Sequence, residues 1–298
     1  MTIKKPDQQM LDALKRKDIE AVKQMVTSGF DLKTVPGYGS YLSYAWGHYG
    51  DYDFEIVKYL IEKGGVNLND SSDPAIIIAA GRGKLDELQY ILDRGADINA
   101  LSRVNTSALW KAAYRNQIEE IKYLLEHGLD INIHGGRALQ VAASRGYLDA
   151  VKLLIEAGAD INHQDFKTHP DDSATPLHNA AFHGHVDVVK YLLACGADPL
   201  LKDHYGERPY TAANSRKLQE IIELLVAVEP QELHDFERKA AELKRMGLPV
   251  AIINDLGNTR TRIELRDSNQ IDYIELCSVL DVTELRYKRV KISTFAER

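Results

Sequence analysis

Cysteine is nearly absent from this chain: Cys195 and Cys277 are the two in 298 residues, in separate segments with no metal-like or redox-like partner nearby. This excludes a disulfide framework and fits a reduced, cytoplasmic setting. No apolar run reaches the length of about 18 residues that a membrane span needs. The segment from Met1 to Gln8 lacks the apolar stretch of a secretory signal. Basic charge is in deficit, and the net charge of −7 argues against bulk nucleic-acid binding while leaving room for a local basic patch. Enzyme signatures are missing too. There is no Gly-x-Ser-x-Gly, His-Glu-x-x-His, phosphate loop or Cys-x-x-Cys pair. Carboxylates such as Glu119-Glu120 and Asp171-Asp172 have no visible acid/base partner. The expectation is a protein without catalysis, cofactor or metal.

What the chain has is a returning phrase. Gly95-Ala96-Asp97-Ile98-Asn99 recurs as Gly128-Leu129-Asp130-Ile131-Asn132, Gly158-Ala159-Asp160-Ile161-Asn162 and Gly196-Ala197-Asp198-Pro199, with its glycines 33, 30 and 38 residues apart. Looser copies stand at Gly29-Phe30-Asp31-Leu32 and Gly65-Val66-Asn67-Leu68-Asn69. A period in this range denotes a stacked-repeat solenoid, which works by presenting a surface.

The fullest unit runs from Thr175 to Asp198. Thr175 is placed to N-cap a helix, and Pro176 sits where its missing N–H costs nothing. Leu177, Ala180 and Ala181 form a narrow apolar face, and Gly184 ends the helix. Val188, Val189, Leu192 and Leu193 form the apolar face of a second helix, stopped by Gly196. Other copies keep the Ala-Ala pair at Ala79-Ala80, Ala112-Ala113 and Ala142-Ala143. A looser copy around Ser40 to Asn69 has Leu42, Ala45, Ile56-Val57 and Leu60-Ile61, and a longer turn. Met10 to Asp31 and Glu207 to Val228 read as charged terminal repeats. The phrase marks the end of each second helix and the start of each hairpin. Its 38-residue step predicts a lengthened hairpin around Gln164 to Ser173. This unit resembles the ankyrin repeat almost position for position. The resemblance implies an all-α solenoid of about seven ankyrin-type helix-turn-helix repeats over residues 6–228.

Glu229-Pro230 marks a boundary. Leu233, Phe236, Ala240, Leu243 and Met246 fall at helical spacing with Gly247 as a stop, and Leu248-Pro249 opens a short helix through Leu256. Alternation around Thr261 to Leu265, Ile271 to Glu275 and Arg286 to Ser293 predicts strands. Residues 229–298 thus form a small α+β C-terminal module, incomplete if the pattern was to continue past Phe295 to Arg298. This order is similar to the opening of the SUKH superfamily. That resemblance implies a bacterial immunity-type protein that binds and blocks a partner.

Aligning the repeats on Ala-Ala places Arg82, Arg115, Arg145 and His183 at one position, with Arg216 as a further member. Stacking would set such residues about 10 Å apart in a row facing the concave groove. Solvated surface is the plain alternative. Tyr114 and Phe182 occupy the adjacent position, and Arg and aromatic residues dominate interface hot spots. Packing against the next inner helix is the alternative for Phe182. Lys111 and Tyr44 complete the candidate partner-binding set. Tyr38, Tyr41, Tyr44, Trp46, Tyr49, Tyr52 and Tyr59 crowd one copy, with Tyr59 on the second-helix core pattern. Either some of the others are exposed for binding, or Trp46 and one or two tyrosines fill the enlarged turn. His178, His183 and His185 invite a metal, but in ankyrin repeats these are scaffold positions. His163 and His169, with Asp165, Asp171 and Asp172, read as a solvated loop.

The expected function is a non-catalytic protein–protein interaction scaffold. Its groove and hairpin tips would bind a protein with an acidic surface, and the immunity type is its narrow form. The alternative is a targeting arm fused to a C-terminal ligand-binding or enzymatic domain. Nucleic-acid binding through the basic row is a third possibility, counted against by the acidity.

Overall fold

The computed structural model describes residues 5–32, 40–47, 51–167, 173–245, 261–264, 273–276, 284–287 and 290–294. Helices come in pairs. They are α1 (Lys5–Lys15) with α2 (Ile19–Thr27), α3 (Tyr41–Ala45) with α4 (Phe54–Lys63), and α5 (Ala75–Ala80) with α6 (Leu85–Asp93). Next come α7 (Ala108–Arg115) with α8 (Ile118–Glu126) and α9 (Ile131–Ser144) with α10 (Leu148–Glu156). The last pairs are α11 (Pro176–His183) with α12 (Val186–Ala194), and α13 (Pro209–Ser215) with α14 (Gln219–Val228). The class is a helical repeat solenoid, and the chain divides into two compact units, Met1–Ala138 and Leu139–Arg298.

In the first unit the leading helices pack in series, α1 on α3, α3 on α5 and α5 on α7, while α2 packs on α4 and α6 on α8. Small residues permit this. Ala75, Ala79, Ala80, Ala108, Ala112 and Ala113 are all fully buried, so the helix backbones approach closely. Ile56, Val57 and Leu60, then Leu88 and Ile91, then Ile121 and Leu124 fill the layer between leading and trailing helices. Tyr59 stays partly exposed, because those three residues of α4 already take the core stripe. Of the crowded aromatics, Tyr41 and Trp46 are fully buried, Tyr44 and Tyr52 are half-buried, and Tyr38 and Tyr49 lie outside the described residues. Trp46 is held by a buried carboxylate: its Nε1 donates to Glu87 at 3.1 Å, and the Tyr52 hydroxyl donates to the same group at 2.7 Å. Truncating a side chain of this size in a packed core costs about 3–5 kcal/mol.

In the second unit α11 packs on α13, α10 on α12 and α12 on α14. Thr175 Oγ1 accepts the His178 N–H at 3.1 Å and caps α11, with Pro176 at its first turn. The unit closes on a buried ion pair between Arg208, at the start of α13, and Glu229, at the end of α14.

The recurring phrase forms rungs between neighbouring copies. Each Asp caps its own turn: Asp97, Asp130 and Asp160 accept the N–H two residues on at 2.9–3.0 Å. The Asn that follows accepts the N–H of the next copy's Asp, Asn69 from Asp97 at 2.8 Å and Asn99 from Asp130 at 2.9 Å. Satisfied turn amides explain why the phrase recurs.

One copy departs from the expected pattern. No hairpin follows Gly128, because α9 starts at Ile131. The short 30-residue step supplies no residues for one. Asp130 starts the helix instead: its carboxylate takes the Asn132 N–H at 3.0 Å and its carbonyl takes the His134 N–H at 3.0 Å. Gly135 and Gly136 are drawn into a helix interior, where each costs roughly 0.5–1 kcal/mol against alanine.

Beyond Val228 lie a 3-10 turn at Gln231–Leu233 and helix α15 (Phe236–Arg245). The expected helix from Leu248 to Leu256 is outside the described residues. Strands β1 (Thr261–Glu264), β2 (Tyr273–Leu276), β3 (Glu284–Tyr287) and β4 (Val290–Thr294) pair antiparallel in sequence order. Thr261 stands opposite Leu276, and a register shift falls between Leu285 and Arg286. The stretch from Arg286 to Ser293 therefore holds parts of two strands rather than one.

Candidate partner-binding face

Each leading helix ends in a residue with positive φ, and the residue before it defines one repeated position. The positive-φ residues are Lys17, Gly47, Gly83 and Asn116 in the first unit and Gly146, Gly184 and Lys217 in the second. Glycine takes this conformation without strain, and asparagine tolerates it. The preceding residues are Arg16, the fully buried Trp46, Arg82 and Arg115, then Arg145, His183 and Arg216. Arg16 is an addition to the expected row. A lysine instead of a glycine at position 17 hides its register in the sequence.

The row is not uniform. Arg82 is half-buried, and its guanidinium donates to the carbonyls of Trp46 and Gly47, the latter at 2.8 Å. It also lies 4.9 Å from the Tyr52 ring centre. Arg82 thus caps the orphan carbonyls at the end of α3, a scaffold task. Arg115 is exposed, with its guanidinium 5.9 Å from the Tyr114 ring centre. In the second unit Arg145 and His183 are exposed. His183 Nδ1 lies 2.9 Å from the Asn179 carbonyl, and its ring meets Phe182 edge to face at 5.1 Å. Phe182 is half-buried under the Arg216 guanidinium, 4.5 Å away. Tyr44 is half-buried on α3.

The structure brings Lys111, Tyr114 and Arg115 together on α7 and adds Trp110, which the sequence reasoning missed. Trp110 and Tyr114 stack at 5.1 Å with planes 16° apart. They stand four residues apart, both half-buried, on the flank of the stripe formed by the buried Leu109, Ala112 and Ala113. That spacing of two aromatics was the available signal. The Lys111 stem crosses the end of α5, so a Cβ at Gly81 would stand 2.7 Å from its Cγ. Its ammonium is 6.0 Å from the Tyr114 ring centre. Burial, then the Arg115 and Arg82 guanidiniums, hold it below the usual lysine range, with Asp73 working against them. No carboxylate bonds to Lys111 among the described residues.

His185 serves the scaffold. His185 Nε2 donates to the Ser144 carbonyl at 2.9 Å and its ring covers Gly146. Among the described residues His178, Asp203 and Glu207 bring potential ligand atoms within 4.8 Å of one another. Asp203 is engaged in its hairpin, accepting the Tyr205 and Glu207 N–H groups at 2.9 Å, while His178 Nε2 lies 3.8 Å from its other oxygen. In the lengthened hairpin Gln164 Nε2 ties the Ser173 and Lys202 carbonyls at 2.7 and 2.9 Å, and Asp165 caps Lys167. His169, Asp171 and Asp172 lie outside the described residues. No helix among the described residues is long and apolar enough to cross a membrane.

A family model described as ankyrin repeats in three copies matches residues 10–102 and again 76–165, and one for ankyrin repeats in many copies matches residues 139–193. Nothing among curated proteins matches the chain. With paired helices, stacked alanine faces and hairpins tied by Asp and Asn, the chain belongs to the ankyrin-repeat family.

Proposed function

We propose that this chain is a non-catalytic protein-interaction scaffold that holds a partner on the groove side of its leading helices. Ankyrin repeats generally mediate protein–protein interaction, and the partner suggested by this surface is a protein with an acidic face. The observation carrying this is the composite on α7, where exposed Arg115 and half-buried Lys111 flank the stacked Trp110 and Tyr114. Arg, Trp and Tyr are the residue types that concentrate binding energy at interfaces. Residues 6–228 would form the binding domain, and residues 229–298 a small α+β module appended to it. Rigid presentation lowers the ordering cost of association.

The test is charge reversal. Arg115→Glu with Arg145→Glu should strongly reduce capture of a protein partner from source-cell extract while the thermal midpoint holds. Arg82→Glu belongs in a separate arm, since Arg82 caps α3. Undiminished capture by the double variant would reduce the row to solvated surface.

A further inference from the structure

Gly81 ends α5 with φ of −90°, a conformation open to any residue, so the backbone does not require glycine there. The matching positions in the next three repeats carry Tyr114, Ser144 and Phe182. What glycine provides is room. A Cβ at Gly81 would stand 2.7 Å from Lys111 Cγ and 3.0 Å from Cε, so the lysine lies down where its neighbours present a side chain. The ammonium then sits half-buried under the field of two guanidiniums, Arg115 and Arg82, offset in part by Asp73, with no carboxylate bonded to it among the described residues. Partly desolvated cations are costly without a counter-ion. Beside it stands the Trp110–Tyr114 stack, whose apolar bulk strengthens any ionic contact made against it.

We propose that Lys111 and Arg115, backed by this aromatic wall, anchor one carboxylate of an extended acidic segment of a partner protein. The anchor rests on the interaction role proposed above. A carboxylate suits the site better than a phosphate chain. A nucleic acid engages a track of cations and releases many counter-ions, whereas this is one compact cluster on a chain of net charge −7.

The experiment titrates an end-blocked oligoglutamate peptide into the full chain by calorimetry, with a single-stranded DNA oligomer as the comparison. Saturable peptide binding is expected. Lys111→Met keeps the stem and removes the charge, and should weaken binding about tenfold or more, as when a charge-assisted hydrogen bond is lost. Gly81→Ala keeps the lysine and displaces its stem, and should weaken binding as well. Lys111→Met should also raise the thermal midpoint, because it deletes a half-buried charge set against two guanidiniums and opposed by Asp73 alone. Lys122→Met, which removes an exposed partner of Glu119, should change neither quantity. No peptide binding by the parent chain, unchanged affinity in Lys111→Met, a lowered midpoint in that variant, or tighter Lys111-dependent binding of DNA would each overturn the anchor. If the anchor fails while Arg115→Glu with Arg145→Glu still abolishes partner capture, the interaction role stands. If capture ignores that pair, the row is solvated surface and the proposed binding face falls.

Discussion

Asn162 Oδ1 accepts the backbone N–H of Asp198 at 2.9 Å, joining residues 36 apart in sequence. The same rung joins Asn69 to Asp97 and Asn99 to Asp130. Asn132 occupies the equivalent place in the phrase, but inside α9 its side chain is exposed and makes no hydrogen bond among the described residues. Asn99→Ala and Asn162→Ala should each cost about 1 kcal/mol, the net worth of one hydrogen bond. Asn132→Ala should stay within about 0.5 kcal/mol of the parent, as an exposed substitution does. Urea unfolding of the three variants checks the contrast, and equal losses would refute the rung.

Arg82 and Arg115 share a register and differ in task. Arg82→Ala strands the carbonyls at the end of α3 and should destabilise by about 1–3 kcal/mol. Arg115→Ala should move stability by no more than about 0.5 kcal/mol. Partner capture should show the reverse order. Thermal melts set beside capture assays separate the two, and a matched loss of stability would put both in the scaffold.

Glycines test backbone and packing separately. Gly146 has φ of +71°, and a Cβ there would meet the His185 ring at 2.4 Å; Gly158 has φ of +94° and open space around it. Gly158→Ala should cost the left-handed penalty alone, about 1–2 kcal/mol. Gly146→Ala should cost more, because His185 must also leave the Ser144 carbonyl. Denaturation midpoints decide, and equal costs would mean that the ring gives way freely.

His134 sets an acid sensitivity. It is buried in α9, its Nε2 has no hydrogen-bond partner among the described residues, and burial holds it below the usual value of 6.5 in spite of Asp130 and Asp97. The unfolded chain therefore takes up a proton before the folded one does. Its contribution to stability is complete above about pH 6.5 and is lost as pH falls toward the lower folded value. His134→Gln should flatten the fall in thermal midpoint between neutral and mildly acid buffer. An unchanged slope would assign the acid response to other groups.

The helices were legible because their signals are local. Thr175-Pro176, the Ala-Ala pairs and the Leu and Val stripes specify helix starts and faces within a few residues. The shared place of Arg82, Arg115, Arg145 and His183 at the ends of their helices was legible once Ala-Ala fixed the register. The task of Arg82 was not, because it depends on carbonyls at Trp46 and Gly47 in the preceding copy. Arg16 stayed hidden behind Lys17, which adopts a conformation that sequence reasoning assigns to glycine. Tyr59 was misplaced because α4 offers two helical stripes, and the choice between them is made by packing against α2. The absent hairpin was written in the short step from Gly128 to Gly158, but the phrase at Asp130 looks like every other copy. Only the helix that follows reveals its different use.

Helix α9 also bears on how such a chain can grow. A copy added to such an array gains the rung hydrogen bond only where an Asn oxygen meets an Asp amide at the seam. Copies flanked by hairpins carry both halves of that joint. The copy that opens with α9 does not, because Asn132 is committed to the helix and points to solvent. A repeat inserted directly after this copy would therefore forgo a hydrogen bond worth about 1 kcal/mol that one inserted after a hairpin-flanked copy would gain.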